Sequence, residues 1–280
     1  MRRRLFKQKR TRVNQVFTIA IFTTLTAISS VSCSKNENVL VTEIGVSQPS
    51  RSSATALKGG EFYLQGKNQH LNGDLQAAIA SYGKAIAQNS QYGAAYNGRG
   101  LVYFDSGDKD KAIADYNQAL SINPNDAEAY NNLGNARASL GNNREAVKDY
   151  SEAIRLNPNY AEAYNNRGNA RATLGERRGA LDDLDQAILL NPKYAIAYNN
   201  RGNARAANGE AQGAIADYNE AIRLNPNFAP AYNNRGNARA TNGDKQGAIK
   251  DLQQAASIFQ SQGNNDLYEQ VMNNIKELGQ

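Results

Sequence analysis

Asparagine is the residue whose spacing most invites chemistry in this chain. Asn97, Asn131, Asn165, Asn199 and Asn233 stand 34 residues apart. Asn132, Asn166, Asn200 and Asn234 keep the same step, and so do Asn135, Asn169, Asn203 and Asn237. A carboxamide carries both a donor and an acceptor, so a column of them can bond successive peptide groups of an extended chain. Asparagine also sits easily on a solvated helix face, and duplication copies any residue from repeat to repeat. A second recurrent set is ionic. Arg99, Arg167, Arg201 and Arg235 are each followed sixteen residues on by an aspartate: Asp115, Asp183, Asp217 and Asp251. That pattern predicts ion pairs that join two helices within one unit, a structural role rather than a ligand site. One unit departs from it, with Leu133 ahead of Asp149. Arg137, Arg171, Arg205 and Arg239 recur too, and pairing between neighbouring units is the expectation for them.

Catalytic chemistry is poorly supplied. One cysteine (Cys33) and one histidine (His70) exclude a disulfide scaffold, a Cys/His zinc cluster and a Cys–His nucleophile pair. Asp182, Asp183 and Asp185 read as the charged face of a helix, and no Ser-His-Asp set, metal box or phosphate loop stands in the sequence. No enzyme activity, cofactor or metal is expected. Net charge is +6, but residues 1–33 hold seven of the 32 basic residues and none of the 26 acidic ones. The other 247 residues are close to neutral, which argues against a nucleic-acid-binding body.

The elements that must position these side chains show in the same period. Pro124, Pro158, Pro192 and Pro226 are 34 apart, as are Tyr96, Tyr130, Tyr164, Tyr198 and Tyr232, and Gly100, Gly134, Gly168, Gly202 and Gly236. Phasing gives six units: 59–92, 93–126, 127–160, 161–194, 195–228 and 229–262. Within a unit, apolar residues at three- and four-residue spacing predict two helices, A and B, broken at Gly107, Gly141, Gly175, Gly209 or Gly243. Asn-Pro ends helix B, because the residue before proline avoids the α region. One helix pair cannot bury its apolar face alone, so the units must stack. The first unit is degenerate, with Gln65, Gln69 and Ser90 at signature positions, and the sixth lacks the proline. After it, Leu267, Val271, Met272, Ile275 and Leu278 share one helical face, predicting a capping helix within 263–280.

In the third unit Tyr130, Leu133, Gly134, Ala146, Tyr150, Ala153 and Pro158 stand at signature positions of a known repeat, and the chain resembles the tetratricopeptide repeat family over about 204 of its 280 residues. The resemblance implies an all-α fold: a right-handed α-solenoid of six helix-turn-helix repeats plus the C-terminal capping helix. At 100° per residue, positions 4, 7, 8 and 11 of a unit turn toward helix B and positions 2, 5, 9, 12 and 13 turn away. In the family this second side lines a concave groove. The resemblance therefore implies a peptide groove built from Asn131, Asn132, Asn135, Asn165, Asn166, Asn169, Asn199, Asn200, Asn203, Asn233, Asn234 and Asn237, with no aromatic anchor along it. The family's carboxylate clamp needs Lys or Arg at positions 2, 5 or 6; position 2 here holds Gly60, Ala94, Glu128, Glu162, Ile196 and Pro230, so capture of a terminal carboxylate is disfavoured.

Residues 1–33 run from basic (Met1–Gln15) through 13 apolar residues (Val16–Ile28) to small ones (Ser29–Cys33), the order of a secretory signal. Even 16 such residues, to Val31, rise only about 24 Å as a helix, short of a hydrocarbon core of roughly 30 Å. Cys33 occupies the acylated place of the lipoprotein signal this resembles, although Ser30 is unusual for it; cleavage after Ser32 that leaves a plain thiol is the other outcome. Arg3-Arg4-Leu5-Phe6-Lys7 resembles a twin-arginine signal incompletely, and general secretion is favoured. Residues 34–58 read as a flexible linker, with a short strand over Val39–Val46 the lesser alternative. The expected protein is a monomeric, non-catalytic scaffold or adaptor in the periplasm or cell envelope. It binds a protein or peptide partner and touches membrane only through its N-terminus. An assembly factor for membrane complexes and a glycan-binding envelope protein are the alternatives, since amides also suit hydroxyls.

Overall fold

The computed structural model of the protein describes residues 51–279, and the described residues form thirteen α-helices and no strand. The export signal expected over 1–33, with Cys33, lies outside the described residues, as does the linker up to residue 50. Helix α1 (Arg51–Leu71) begins eight residues ahead of the expected unit boundary, so the linker does not extend to Lys58. Ser52-Ser53-Ala54-Thr55-Ala56-Leu57 holds no proline or glycine, and nothing in it stops the helix of unit one from starting early.

Helices then alternate in pairs. Unit one comprises α1 and α2 (Leu75–Gln88), and unit two α3 (Gly93–Asp105) and α4 (Lys109–Ile122). Unit three holds α5 (Ala127–Ser139) and α6 (Asn143–Leu156), and unit four α7 (Ala161–Thr173) and α8 (Arg177–Leu190). Units five and six are α9 (Ala195–Ala207) with α10 (Ala211–Leu224), and α11 (Ala229–Thr241) with α12 (Lys245–Ser261). A last helix, α13 (Asn265–Gly279), packs on α12. Each helix rests on its sequence neighbours, and each A helix from α1 to α9 also meets the A helix of the next unit.

Two turns set this geometry. Between A and B the chain reverses through a left-handed residue, as at Gly141 (φ +83°). A Cβ placed there would meet nothing within 4 Å, so conformation rather than space requires the glycine. Between B and the next A, an asparagine side chain closes the turn: Asn157 Oδ1 accepts from the Asn159 N–H at 3.1 Å. Unit one has no proline there, yet Asn89 makes the same bond to Gln91 at 3.0 Å. The asparagine thus shapes this turn even without the proline. Unit six lacks both residues, and α12 runs on to 17 residues where other B helices have 14.

Glycine also brings A and B together. Gly134 lies under the Tyr150 ring and Gly202 under Tyr218, so closely that an added Cβ would sit 2.6 Å from a ring carbon in each case. At the end of the stack, α13 buries Val271 and packs Leu267, Tyr268, Ile275 and Leu278 against α12. Met272, expected on that face, is 39% exposed. The stripe centres on Val271, and Tyr268 one turn earlier takes the place that Met272 was expected to fill.

Candidate functional site

The A helices present the asparagine columns, and their neighbours decide what those amides can do. Asn132 Nδ2 donates to Asn97 Oδ1 at 3.1 Å, Asn166 to Asn131 at 3.1 Å, Asn200 to Asn165 at 2.9 Å and Asn234 to Asn199 at 3.0 Å. Position 6 of each unit thus bonds position 5 of the unit before it. Asn97, Asn131, Asn132, Asn165, Asn199 and Asn200 are buried in this seam. This corrects the expected groove. Asn131, Asn132, Asn165, Asn166, Asn199, Asn200 and Asn234 tie repeat to repeat instead of facing a guest. The physical reason is the close approach of successive A helices: a buried amide needs partners, and the facing amide supplies them. Asn233 also belongs to the seam, but no seventh repeat follows, and its Oδ1 is buried without a partner.

The position-9 amides remain half-buried, and they differ in pairs. Asn135 Oδ1 accepts from the Tyr150 hydroxyl (2.9 Å) and from Asn166 (3.0 Å). Asn203 accepts likewise from Tyr218 (2.9 Å) and Asn234 (3.0 Å). In units four and six helix B carries Leu184 and Leu252 where those tyrosines stand. Among the described residues, the side chains of Asn169 and Asn237 make no hydrogen bond; they are the two position-9 amides left free.

The ionic set lies on the other side of the A helices, against helix B. Arg99 Nε donates to Asp115 at 2.7 Å and Arg235 Nε to Asp251 at 2.8 Å, each with a second guanidinium nitrogen on the same carboxylate. Arg167 grips Asp183 at 2.9 and 2.7 Å, and Arg201 Nη2 reaches Asp217 at 2.6 Å. The arginines at position 11 do not pair between units as expected. Arg171, Arg205 and Arg239 reach the same Asp183, Asp217 and Asp251 at 2.7–2.8 Å, because positions 7 and 11 are one helical turn apart on one face. The position-7 arginines make the links between units instead: Arg167 to Ser151, Arg201 to Asp185 and Arg235 to Asn219. Unit one has an uncharged counterpart, Ser81 donating to Gln69 at 2.7 Å.

Unit three, like unit two, holds its aspartate with one arginine, but from position 11 instead of position 7. Arg137 Nη1 contacts both Asp149 oxygens, at 2.7 and 2.8 Å. Burial outweighs that single cation and pushes the Asp149 carboxyl up to about 6. The folded state then holds this proton more tightly than the unfolded chain does, since an unfolded aspartate titrates near about 3.9. The resulting stabilisation is full below that value and is lost as pH rises through about 6. Urea unfolding between about pH 5 and 7 should therefore show stability declining with pH through this group, and Asp149→Asn should flatten the slope.

A row of aromatic residues precedes the A helices, where none was expected along the groove. Tyr92, Tyr160, Tyr194 and Phe228 recur at the 34-residue step, with Asp126 in the one gap. Glu128 and Glu162, two residues into α5 and α7, interleave with them. Burial raises the Tyr160 hydroxyl most, and Glu128, Glu162 and Asp126 add to it; Tyr194 is raised by burial, then by Glu162 and Tyr160. The sequence carried this signal in its period, but these residues fall in the turn before helix A. Glu128 is exposed as a residue, yet its carboxyl end is tucked in: burial raises its pKa first, then Asp126, against Lys67 and a hydrogen bond from Asn97.

Among the described residues no group of His, Cys, Asp or Glu is placed to hold a metal ion, and no helix is long and apolar enough to cross a membrane. The family model described as TPR repeat matches residues 66–107, 100–141, 134–175 and 202–243, and one described as Tetratricopeptide repeat matches 161–194 and 229–262. No curated protein matches the chain. Among solved structures, MamA is 31% identical over 59% of this chain and 96% of that one, with a TM-score of 0.51. A tetratricopeptide repeat protein from Parabacteroides merdae ATCC 43184 is 24% identical over 77% and 85%, with a TM-score of 0.64. YrrB, described as a TPR protein with an unusual peptide-binding site, is 23% identical over 65% and 96%, with a TM-score of 0.52. These last two likenesses are of fold.

Proposed function

The chain belongs to the tetratricopeptide repeat family, whose repeats generally mediate protein–protein interaction, and from that premise we propose that it is a non-catalytic scaffold that docks an extended segment of a partner protein along its A helices. The observation that carries this reading is the pair of free, half-buried amides at Asn169 and Asn237. A carboxamide without an intramolecular partner offers a donor and an acceptor to a passing peptide group. Two such contacts, at about 0.5–1.5 kcal/mol net each, make a weak site, so affinity must come from length of contact or from avidity. Ala172 and Ala240, three residues on, keep the face shallow enough for a backbone to approach.

Asn169→Ala with Asn237→Ala should weaken partner capture by about tenfold, the loss of two such bonds, and leave the melting temperature unchanged, because neither side chain bonds within the fold. Photo-crosslinking from Thr173, which neighbours Asn169 on the same face, reads the capture. Equal crosslinking by wild type and double variant would sink the groove.

The compartment proposed is the cell envelope, reached through residues 1–33. Mass spectrometry of the protein from its native membrane fraction is expected to find the chain starting at Cys33, with or without acyl groups. A chain that still carries Arg2–Arg12 would reject export.

A further inference from the structure

A stack of repeats has two ends, and a free end needs a polar outer face to stay soluble. At the C-terminal end α13 supplies a cover. Among the described residues no helix precedes α1, which packs on α2 and α3. Its open side carries two large apolar side chains, Leu64 (59% exposed) and Leu71 (52%). The contacts between later units show what that side is for. Position 6 of a unit reaches back to the A helix before it, as Asn132, Asn166, Asn200 and Asn234 do. Position 13 reaches back as well: Asp105 of unit two holds His70 of unit one at 2.7 Å. Leu64 is position 6 of unit one, and Leu71 is position 13. Both places by which an A helix grips the one before it are therefore leucine on the A helix that opens the stack. A lone exposed leucine is ordinary, but two at a spacing of seven share one side of a helix and make a seam for a second helix.

We propose that the occupant of this seam is a second copy of the chain, its α1 laid antiparallel on this α1 about a twofold axis at Leu64. The leucine spacing is symmetric about that residue: Leu57 and Leu71 stand seven before it and seven after. A reversed copy therefore brings leucine positions level with leucine positions at three heights, the self-complementarity that a twofold contact requires. The charges agree. Exposed Glu61 and Lys67 stand three residues before and three after Leu64. Antiparallel pairing puts each Glu61 at the height of the partner's Lys67, whereas parallel pairing would put like charges at one height. One helix against one helix buries less than the roughly 1,200–2,000 Å² of a standard interface, so the dimer is weak. The monomer expected from the sequence is its dilute form.

The test uses the full chain carrying Cys33→Ser, so that an introduced cysteine is its one thiol. Leu64→Cys lies on the twofold axis and should crosslink to its own copy on mild oxidation. Leu71→Cys should not, because seven residues of helix set the two copies of that position about 21 Å apart, well beyond the roughly 4.4–6.8 Å between Cα atoms that a disulfide spans. In sedimentation velocity the mass should rise from one chain toward two between about 1 and several hundred micromolar. Leu64→Lys with Leu71→Lys should abolish that rise and leave the melting temperature of dilute protein unchanged, as substitutions at exposed sites do. Crosslinking at both cysteines would overturn the antiparallel pairing, and crosslinking at neither would overturn the dimer. Association that survives the two lysines would put the contact elsewhere on the chain and overturn it too. So would a lower melting temperature of the dilute lysine variant, since the leucines would then be covered within a single chain.

Discussion

Replacing Asp217 by alanine is expected to destabilise the protein by about 3–5 kcal/mol, the usual loss when one partner of a buried ion pair is removed. The carboxylate is 3% exposed and takes hydrogen bonds from two arginines, Arg201 Nη2 at 2.6 Å and Arg205 Nη1 at 2.8 Å. Without it, two guanidinium groups remain in a seam where Arg201 is only 16% exposed. Arg201 keeps one anion, Asp185 at 2.7 Å, but that carboxylate is 57% exposed and well screened. Asp185→Ala is therefore the control, with an expected loss of at most about 1 kcal/mol. Both variants remove an anion from Arg201, and Asp217→Ala also strips Arg205, so the comparison sets a buried two-arginine site against a screened single pair. Urea unfolding followed by far-ultraviolet circular dichroism measures both. Equal losses would show that the buried carboxylate contributes no more than a surface pair. Loss at a middle unit also uncouples its neighbours, because stability in a stack passes through nearest-neighbour interfaces. Hydrogen exchange should accordingly rise in α8 and α11 as well as in α9 and α10.

How far the sequence could be read follows from what a period contains. Helix ends, the turn glycines and the pairing of Arg99, Arg167, Arg201 and Arg235 with their aspartates lie within one unit, where a helical wheel suffices. The second arginine on Asp183, Asp217 and Asp251 was legible on the same wheel, since Arg205 follows Arg201 by one turn. The asparagine seam was not. A wheel fixes a side chain's direction relative to its own partner helix and says nothing of where the next unit's A helix lies. The clue was that positions 5 and 6 are both asparagine in successive units, so that Asn166 meets Asn131 across 35 residues instead of 34. A groove-facing column has no need of a second column beside it; a seam needs two, one for each wall. The aromatic row escaped for a different reason. Tyr160 and Tyr194 precede the helices, where turn residues are read for their backbone and not for what their side chains cover.

The sharpest test of how the helices approach is a single methyl group placed at two sites. In a helix interior alanine is favoured over glycine by about 1 kcal/mol, and at Gly60 in α1 that is the whole effect, since a Cβ there meets nothing within 4 Å. Gly60→Ala should stabilise the protein by up to about 1 kcal/mol. At Gly134 the same methyl would stand 2.6 Å from Tyr150 Cε1 and 2.8 Å from Cδ1. The ring has little room to retreat: Tyr150 is 2% exposed, and its hydroxyl is tied to Asn135, which in turn holds Asn166 of the next unit. Overpacking of this kind costs about 1–3 kcal/mol and sometimes more. With a ring locked on both sides the upper end applies, so the gain in helix propensity is overwhelmed and Gly134→Ala should lose about 2–3 kcal/mol net. Part of that loss should appear as faster exchange in α7, because moving Tyr150 pulls on the amide that Asn166 donates to. If Gly134→Ala instead matched Gly60→Ala in sign, the A and B helices would be free to separate without penalty, and the seam of amides that depends on their spacing would not hold the repeats in register.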